Sequence, residues 1–556
     1  MPTHNIEAPC EHVEPFYFDL SYNDSVLQDS NNMLLDISAR RERSELVIGI
    51  VGAVGSNLGV VQDQLIQALR AADYNTEPIH LVELLHEIDR WESLPETPEE
   101  VRIEKHMNAG DEFRDAIGSD DALAVLGVGE IQKLRTKLTN TANEPAEKTA
   151  YILKSLKHPD EIQALREIYG PGCFIVAAYS PREARIQNLA TKIARSHNSY
   201  DSELFREHAE KLVMRDQKDA LKGFGQNVRQ SFPLADVFLE SVDAASVRTQ
   251  SERFIQLILG NNAYTPTRYE YAMVHAQVAA LRSGALGRQV GAVIATPEGQ
   301  IVAAGTNEVP KFRGGQYWYG DDPDHRDISK EYDSSDLLKV MNVQEILERL
   351  LESWLSEDKK SLSPEERVKE VLPLLKGTRI MQPLEYGRAV HAEMAAIVDA
   401  AARGVSIRGC LLFTTTFPCH ECARHIIAAG IERVVYIEPY PKSLAAQLHE
   451  DSIAVETGGT NRLIFQPFVG VAPRQYLSLF PIFGNRKTSD GKRIVWDKSM
   501  AVQRLQGFPE SYIENEKDAL ALLHKRMQDA KLRPVVTEGS QSAGEGLAED
   551  STRASN

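Results

Sequence analysis

Apolar and polar positions along the chain fall into two series of alternating strands and helices. One lies between residues 44 and 245 and the other from 267 onward. The run Glu45-Leu-Val-Ile-Gly-Ile-Val-Gly52 is apolar almost throughout, which predicts a strand buried on both faces. A glycine-rich turn, Ala53 to Gly59, follows it, and helical periodicity then continues through Ala71. Further along, the pattern predicts a strand at Ile79–Leu84, a helix over Val101–Ala116, a buried strand at Cys173–Tyr179 and a last strand at Leu234–Leu239. Pro181 is well placed for the first turn of a helix reaching Ile193. Strands separated by helices argue for a parallel α/β sheet.

The second series opens with a helix over Tyr269–Leu281. Strands at Arg288–Ala295 and Gln300–Thr306, joined by Thr296-Pro-Glu-Gly299, predict a β-hairpin. An insertion of about 320–385 contains an acidic loop, Asp321–Asp336, and amphipathic helices at Leu337–Leu355 and Pro364–Leu375. It fits an oligomer interface, a lid or a scaffold equally well. Ala392–Arg403 is an alanine-rich helix stopped by Gly404, and Cys410–Thr416 is a buried strand. Cys422–Ala429 is a second helix closed by Gly430, Arg433–Glu438 a strand, and Leu463–Phe480 apolar core. The organisation expected is a polar arm (1–43), a first domain (44–245), a linker (246–266) with a helix over Val247–Leu259, a second domain (267–535) and a disordered tail (536–556) rich in Gly, Ser, Ala and Glu.

Composition narrows the class. The chain has 556 residues, of which 42% are hydrophobic and 26% charged, as in soluble proteins of more than one domain. A net charge of -18 disfavours a protein that grips a nucleic-acid backbone. Five cysteines give an odd count, and Cys173 and Cys410 lie in apolar runs, which suggests free thiols in a reducing compartment. Met1–Asp19 lacks the pattern of a signal peptide and no stretch is apolar enough to span a membrane, so a cytoplasmic location without membrane contact is expected.

Chemistry concentrates at His391-Ala392-Glu393 and Pro418-Cys419-His420-Glu421-Cys422. H-x-E followed at a distance by P-C-x-x-C is the signature of zinc deaminases. His391, Cys419 and Cys422 supply three ligands for Zn²⁺ and leave one position open. A water held there has its pKa lowered toward ~7. Glu393, two residues after the histidine, can carry its proton to the ring nitrogen and the departing amine. A closed zinc knuckle would need His420 as fourth ligand and gives Glu393 no role. Earlier in the chain, Gly52, Gly55, Ser56 and Asn57 form either a nucleotide-binding loop or a structural turn. The P-loop lysine is missing there, and the first lysine of the chain is Lys105.

Several motifs together resemble a known family. Arg288-Gln-Val-Gly-Ala-Val, the strand ending at Asn307, and the two zinc motifs look like a deoxycytidylate deaminase domain over about residues 267–485. Residues 45–245, including Arg215-Asp216, resemble P-loop nucleoside monophosphate kinases. The fold expected is therefore α/β, an amino-terminal kinase-like parallel sheet followed by a cytidine-deaminase-like α/β/α domain. The fusion, with Asn307-Glu-Val-Pro310 and Gly314-Gly315-Gln-Tyr-Trp318, resembles the bacterial anti-phage dCTP deaminases. That resemblance implies deamination of dCTP, and of dCMP, to the uracil form, and depletion of the nucleotide pool of a replicating phage. A nucleic-acid cytosine or adenine editing deaminase and a housekeeping dCMP deaminase are the alternatives. The partners expected are free deoxycytidine nucleotides, a nucleotide at the amino-terminal domain, further copies of the chain, and an RNA or protein inhibitor. The resemblance implies a sugar contact for Asn307, with a turn-capping role as its alternative. Arg288 is a further candidate substrate contact. Lys311 suits a polyphosphate or a solvated loop. Tyr440 and Lys442, at a strand end, suit a base and a phosphate. The chain departs from the deoxycytidylate deaminase pattern at Ala395, where Asn is usual, and at Glu308, where Gly is usual.

Overall fold

Strands β1 (Leu46–Gly52), β2 (Asn75–His80), β3 (Thr149–Leu156), β4 (Cys173–Tyr179) and β5 (Val237–Glu240) form a parallel sheet in the order β2-β3-β1-β4-β5. The computed structural model describes residues 45–218, 227–351, 353–376, 378–381, 386–440, 443–456 and 461–535. The amino-terminal arm, the tail expected to be disordered and Lys442 lie outside them. Every residue of β1 is buried, as its unbroken apolar run requires.

One element of this half differs from the sequence pattern. The strand expected at Ile79–Leu84 ends at His80, and Leu81–Glu87 turns into a 3-10 helix. Leu81 and Leu85 are its buried residues, and a four-residue spacing belongs to a helical turn rather than a strand. The linker holds the helix expected over Val247–Leu259, here Ala244–Ile258, capped by Asp243, whose carboxylate accepts the Ser246 N–H at 2.8 Å. Its Val247, Phe254, Ile255 and Ile258 form one apolar stripe packed with Ile48, Ile50 and Val176 of the sheet.

The second sheet comprises β6 (Gly291–Ala295), β7 (Ile301–Thr306), β8 (Leu411–Thr416), β9 (Arg433–Glu438), β10 (Ile453–Val455) and β11 (Leu463–Pro467), in the order β10-β11-β9-β8-β6-β7. The β6–β7 pair is the antiparallel hairpin expected from the Pro/Gly turn. Two glycines set the helix spacing above it. A Cβ on Gly291 would lie 1.9 Å from the Ala276 carbonyl oxygen, and one on Gly305 would lie 2.2 Å from that of Ala392. The helices Arg268–Leu281 and Ala392–Ala402 therefore press directly onto the hairpin backbone.

The carboxy-terminal segment does not stay in the second half, contrary to the boundary expected at 535. Strand β12 (Gly470–Val471) pairs antiparallel with β5 at the edge of the first sheet. Phe468 meets Phe238 edge-on, with ring centroids 5.8 Å apart. The helix Pro509–Asp529 then lies on the first half, with Tyr512 and Ile513 in one core with Val47 and Tyr169. Its Glu516 pairs at 2.6 Å with the fully buried Arg135, which also holds Glu45 at the start of β1. A buried guanidinium fits only with such compensation, so this pairing fixes the register of the returning helix.

The insertion folds as the helices Ser334–Leu350, Glu357–Lys360 and Pro364–Leu375 around Val343, Leu347 and Val368. The acidic stretch expected as loop also contains a short helix, Asp327–Lys330.

Candidate active site

The ends of β7, β8 and β9 and the start of β6 lie together at one end of the second sheet. The zinc motifs leave from there. His391 is the N-cap residue of the helix Ala392–Ala402, and Cys419 that of His420–Ala428. The chain before His391 is held by a bridge between Glu308 and Val390, with their backbone N–H···O contacts at 3.2 and 3.0 Å. Glu308 is itself buried, and its carboxylate accepts the Gly284 N–H at 2.7 Å. The departure from Gly at this position thus has a structural use: it anchors the segment that presents His391.

His391 Nδ1 lies 3.3 Å from Cys419 Sγ and 3.4 Å from Cys422 Sγ. A tetrahedral ion with Zn–S near 2.3 Å and Zn–N near 2.0 Å would separate such ligands by about 3.5 Å. The imidazole and two sulfurs therefore fit zinc in both donor type and spacing. Glu393, 4% exposed, sits behind them with Oε2 3.4 Å from Cys422 Sγ. Burial pushes its carboxyl above the ordinary range.

Protonation follows the same packing. The bond from the Cys422 thiol holds Cys419 down to about 4, and the same pairing pushes Cys422 well up, so the two sulfurs share one proton. The Cys419 thiolate in turn pushes His391 up to about 9. Between these limits the metal-free site carries one proton on Cys422 and one on His391, and both must leave when a metal binds. Zinc affinity should therefore rise by about 100-fold per pH unit through neutrality, two protons being released per ion. Chelator competition at pH 6, 7 and 8 measures the slope, and a slope near zero would mean that the donors are already deprotonated.

The structure brings some expected substrate contacts to this end and not others. A cleft of ≈ 280 Å³ in front of His391 is lined by Arg288, Asn307 and Tyr440. The Asn307 amide is already engaged: its nitrogen donates to the Arg288 carbonyl at 2.7 Å and its oxygen accepts the Val290 N–H at 2.7 Å. That is the turn-clamping arrangement, and it leaves at most one N–H and one lone pair of the amide for a ligand. Arg288 pairs with Glu438 at 3.1 Å on the cleft rim. Lys311 is not among the lining residues and pairs with Asp321 at 2.9 Å. The expectation for Lys442 falls outside the described residues.

Sequence reasoning missed what the insertion contributes. Lys339 of the helix Ser334–Leu350 and Arg388 from the segment before His391 also line the cleft, with Asp327 and Asp333. Arg388 pairs with Asp327 at 2.9 Å. Helical spacing marks Lys339 as polar, but nothing local says which surface it faces.

At the other sheet, the 52–59 loop closes against its neighbours. Gly55 has φ +86, and a Cβ there would lie 2.5 Å from the Arg185 carbonyl oxygen. The glycine is thus explained by packing. Lys157, which follows β3, donates to the Gly52 carbonyl at 3.0 Å and pairs with Asp216 at 3.5 Å, and Asp216 accepts the Val54 N–H at 2.9 Å. A lysine from outside the loop therefore reaches it, although the loop has none. Asn57 donates to the Ser241 carbonyl at 3.4 Å, and Ser56 is buried.

A mixed sheet with a helix on the hairpin, a histidine and two cysteines at helix starts and a buried glutamate behind them define a zinc hydrolase site of the deaminase type. In agreement, residues 266–438 match the family model of the cytidine and deoxycytidylate deaminase zinc-binding region. Zinc is the cofactor of that region, and His391, Cys419 and Cys422 are the residues here that fit it. A probable deoxycytidylate deaminase of Drosophila melanogaster is 40% identical over 87 residues, covering 15% of this chain and 42% of that protein. The deoxycytidylate deaminase of Enterobacteria phage T4 is 44% identical over 54 residues, covering 10% of this chain and 28% of that protein. The chain thus spans less than half the length of these relatives. Among solved structures, the apo dCMP deaminase of cyanophage S-TIM5 is 18% identical, covering 36% of this chain and 99% of that one, at a TM-score of 0.19.

Proposed function

We propose that the chain is a zinc-dependent deaminase of free deoxycytidine nucleotides. The observation that carries this reading is the buried Glu393 carboxyl set behind the His391–Cys419–Cys422 ligands, at the head of a cleft bearing Arg288, Lys339 and Arg388. When bound, zinc supplies an activated water at neutral pH. Glu393 takes one proton from the attacking water and passes it to the ring nitrogen, then takes the remaining proton of the added hydroxyl and passes it to the amine, which leaves as ammonia. Burial raises its pKa, so it takes up a proton more readily than an exposed carboxylate would. Three cations around one cleft suit a phosphate chain, and the Arg288–Glu438 pair, half exposed, is cheap to exchange for it. dCTP as preferred substrate, with loss of the dCTP pool in defence against phage, is the finer form of the reading. A homo-oligomer held quiet by an RNA or protein inhibitor belongs with it.

The test is product analysis with dCTP, dCMP, CTP, deoxycytidine and a cytosine-containing oligonucleotide. Conversion of the oligonucleotide alone would replace this reading with an editing enzyme, and dCMP alone would make it a housekeeping one. Arg388→Ala should lower kcat/KM for the preferred nucleotide by about 10–100-fold, the loss of one charge-assisted contact. Deoxycytidine, lacking phosphate, should be affected far less. Equal losses on both would assign Arg388 to holding Asp327 instead.

We infer that the amino-terminal half binds a nucleotide without hydrolysing it. A cavity of ≈ 460 Å³ between the halves is lined by Ser56, Arg185 and Tyr440. Ser56 Oγ and Arg185 Nη1 are buried there with no hydrogen-bond partner among the described residues. The position, beyond the carboxyl ends of β1 and β4, is where open α/β sheets take ligands. Lys157 is tied to Gly52 and Asp216, so ATP turnover should stay at background while labelled nucleotide still binds. Phosphate release persisting in a Glu393→Ala protein would overturn this.

A further inference from the structure

Two histidines far from the cleft meet in a way that ordinary hydrogen bonding does not explain. His86, in the 3-10 helix Leu81–Glu87, and His106, in the helix Glu99–Ile117, bring their Nε2 atoms to 3.1 Å. The other nitrogen of each ring is engaged. His86 Nδ1 lies 3.1 Å from the Glu92 carbonyl oxygen, and His106 Nδ1 lies 2.8 Å from that of Arg102. A carbonyl oxygen only accepts, so each Nδ1 carries the hydrogen and donates it. Each neutral ring then keeps its lone pair on Nε2, and the two lone pairs face one another. The Glu96 carboxylate joins them, with Oε1 3.2 Å from His86 Nε2. All three ligand atoms lie within 4.8 Å of one another.

Three electron-pair donors converging on one point require a cation between them, either a shared proton or a metal ion. The spacing suits the metal. Ligands at 2.0–2.1 Å around a tetrahedral ion are separated by about 3.3 Å, and the His391 site shows separations of 3.3 and 3.4 Å. An Nδ1–H donated to a backbone carbonyl is also how proteins fix the tautomer of a metal-binding histidine. His158 near Asp120 and Asp160 offers the contrast. Its Nδ1 accepts the Asp160 N–H at 3.3 Å, so its Nε2 carries the hydrogen and neither nitrogen keeps a free lone pair for an ion.

We propose that His86, Glu96 and His106 form a second metal site, separate from the deaminase zinc, for a divalent transition-metal ion of the zinc type. Two imidazoles and one carboxylate suit zinc over calcium or magnesium, which prefer all-oxygen sites. The ligands come from the turn after β2, the connection that follows it and the long helix, three segments already packed in one core through Leu85, Trp91 and Phe113, so the ion would pin the edge of that core. His106 and Arg102 also line a ≈ 250 Å³ cavity over the 53–59 loop, whose wall the ion would fix.

The experiment is zinc stoichiometry by elemental analysis on the full chain, purified without a polyhistidine tag, loaded with zinc and desalted. The wild type should hold two ions, His86→Ala one, Cys422→Ala one, and the double variant none. His86 is partly exposed, so its removal leaves the core intact; His106→Gln is the second probe and should also hold one. His86→Ala should keep deamination within a few-fold while lowering the melting temperature in zinc but not in chelator. One ion in the wild type, or two in both histidine variants, would overturn the proposal. If the wild type holds one ion and the histidine variants alter only the pH dependence of melting, the shared proton is correct instead.

Discussion

Cys422→Ala is expected to lose both the zinc of the deaminase region and all measurable turnover, while keeping the fold. The residue lies in the first turn of the helix His420–Ala428, where alanine is an excellent helix former. The cavity left is a single sulfur in size, against Ile426 and Ala423 of the same core cluster. What is lost is one of three ligands. With His391 and Cys419 alone, the site holds two donors and a thiolate that already prefers a proton on His391. Cys419→Ala should do the same and more, since its sulfur also accepts the Cys422 N–H at 3.4 Å at the helix start. Circular dichroism, zinc content and product formation on one preparation make the check. Full turnover with unchanged zinc in Cys422→Ala would sink the ligand assignment.

The parts of this site that were legible in the sequence are those that local chemistry dictates. His391 caps one helix and Glu393 lies in its first turn, and Cys419 caps another with Cys422 in its first turn, so short motifs carry their geometry with them. The strands β8 and β9 were readable because both are buried apolar runs bounded by Gly or Pro. Strand β3 was not foreseen, although it is central to the first sheet. Near its end, before the buried Leu156, Lys154 and Ser155 break the apolar run where they line the cavity beside the 53–59 loop.

Long-range contributions were hidden for a different reason. Arg388 and Lys339 enter the cleft only because the insertion folds back beside His391. Lys157 reaches the Gly52 carbonyl across 105 positions of sequence. Asn307 matched a family pattern, but which way its amide points is decided by the backbone of Arg288 and Val290. The register of the helix that returns to the first half is fixed by Glu516, a buried charged residue paired with Arg135, where a sequence pattern looks for an apolar stripe.

Glu393→Gln separates proton transfer from metal binding. The carboxylate lies behind the ligands rather than among them: its Oε2 contacts Cys422 Sγ at 3.4 Å, and the ligand set is complete without it. Glutamine has nearly the same shape, so zinc content and melting temperature should match those of the wild type. An amide cannot accept the proton of the attacking water or deliver one to the ring. General acid–base catalysis contributes ~10²–10⁴-fold, and one residue here serves successive transfers, so turnover should fall by about 10⁴-fold or more. KM should change little, because the cations proposed to meet the phosphates, Arg288, Lys339 and Arg388, stand elsewhere in the cleft. The fall should be the same on each nucleotide that the wild type converts, unlike that of Arg388→Ala. Turnover within a few-fold of the wild type at full zinc occupancy would remove Glu393 from the mechanism. A fall that tracks lost zinc would make it a structural support of the metal site.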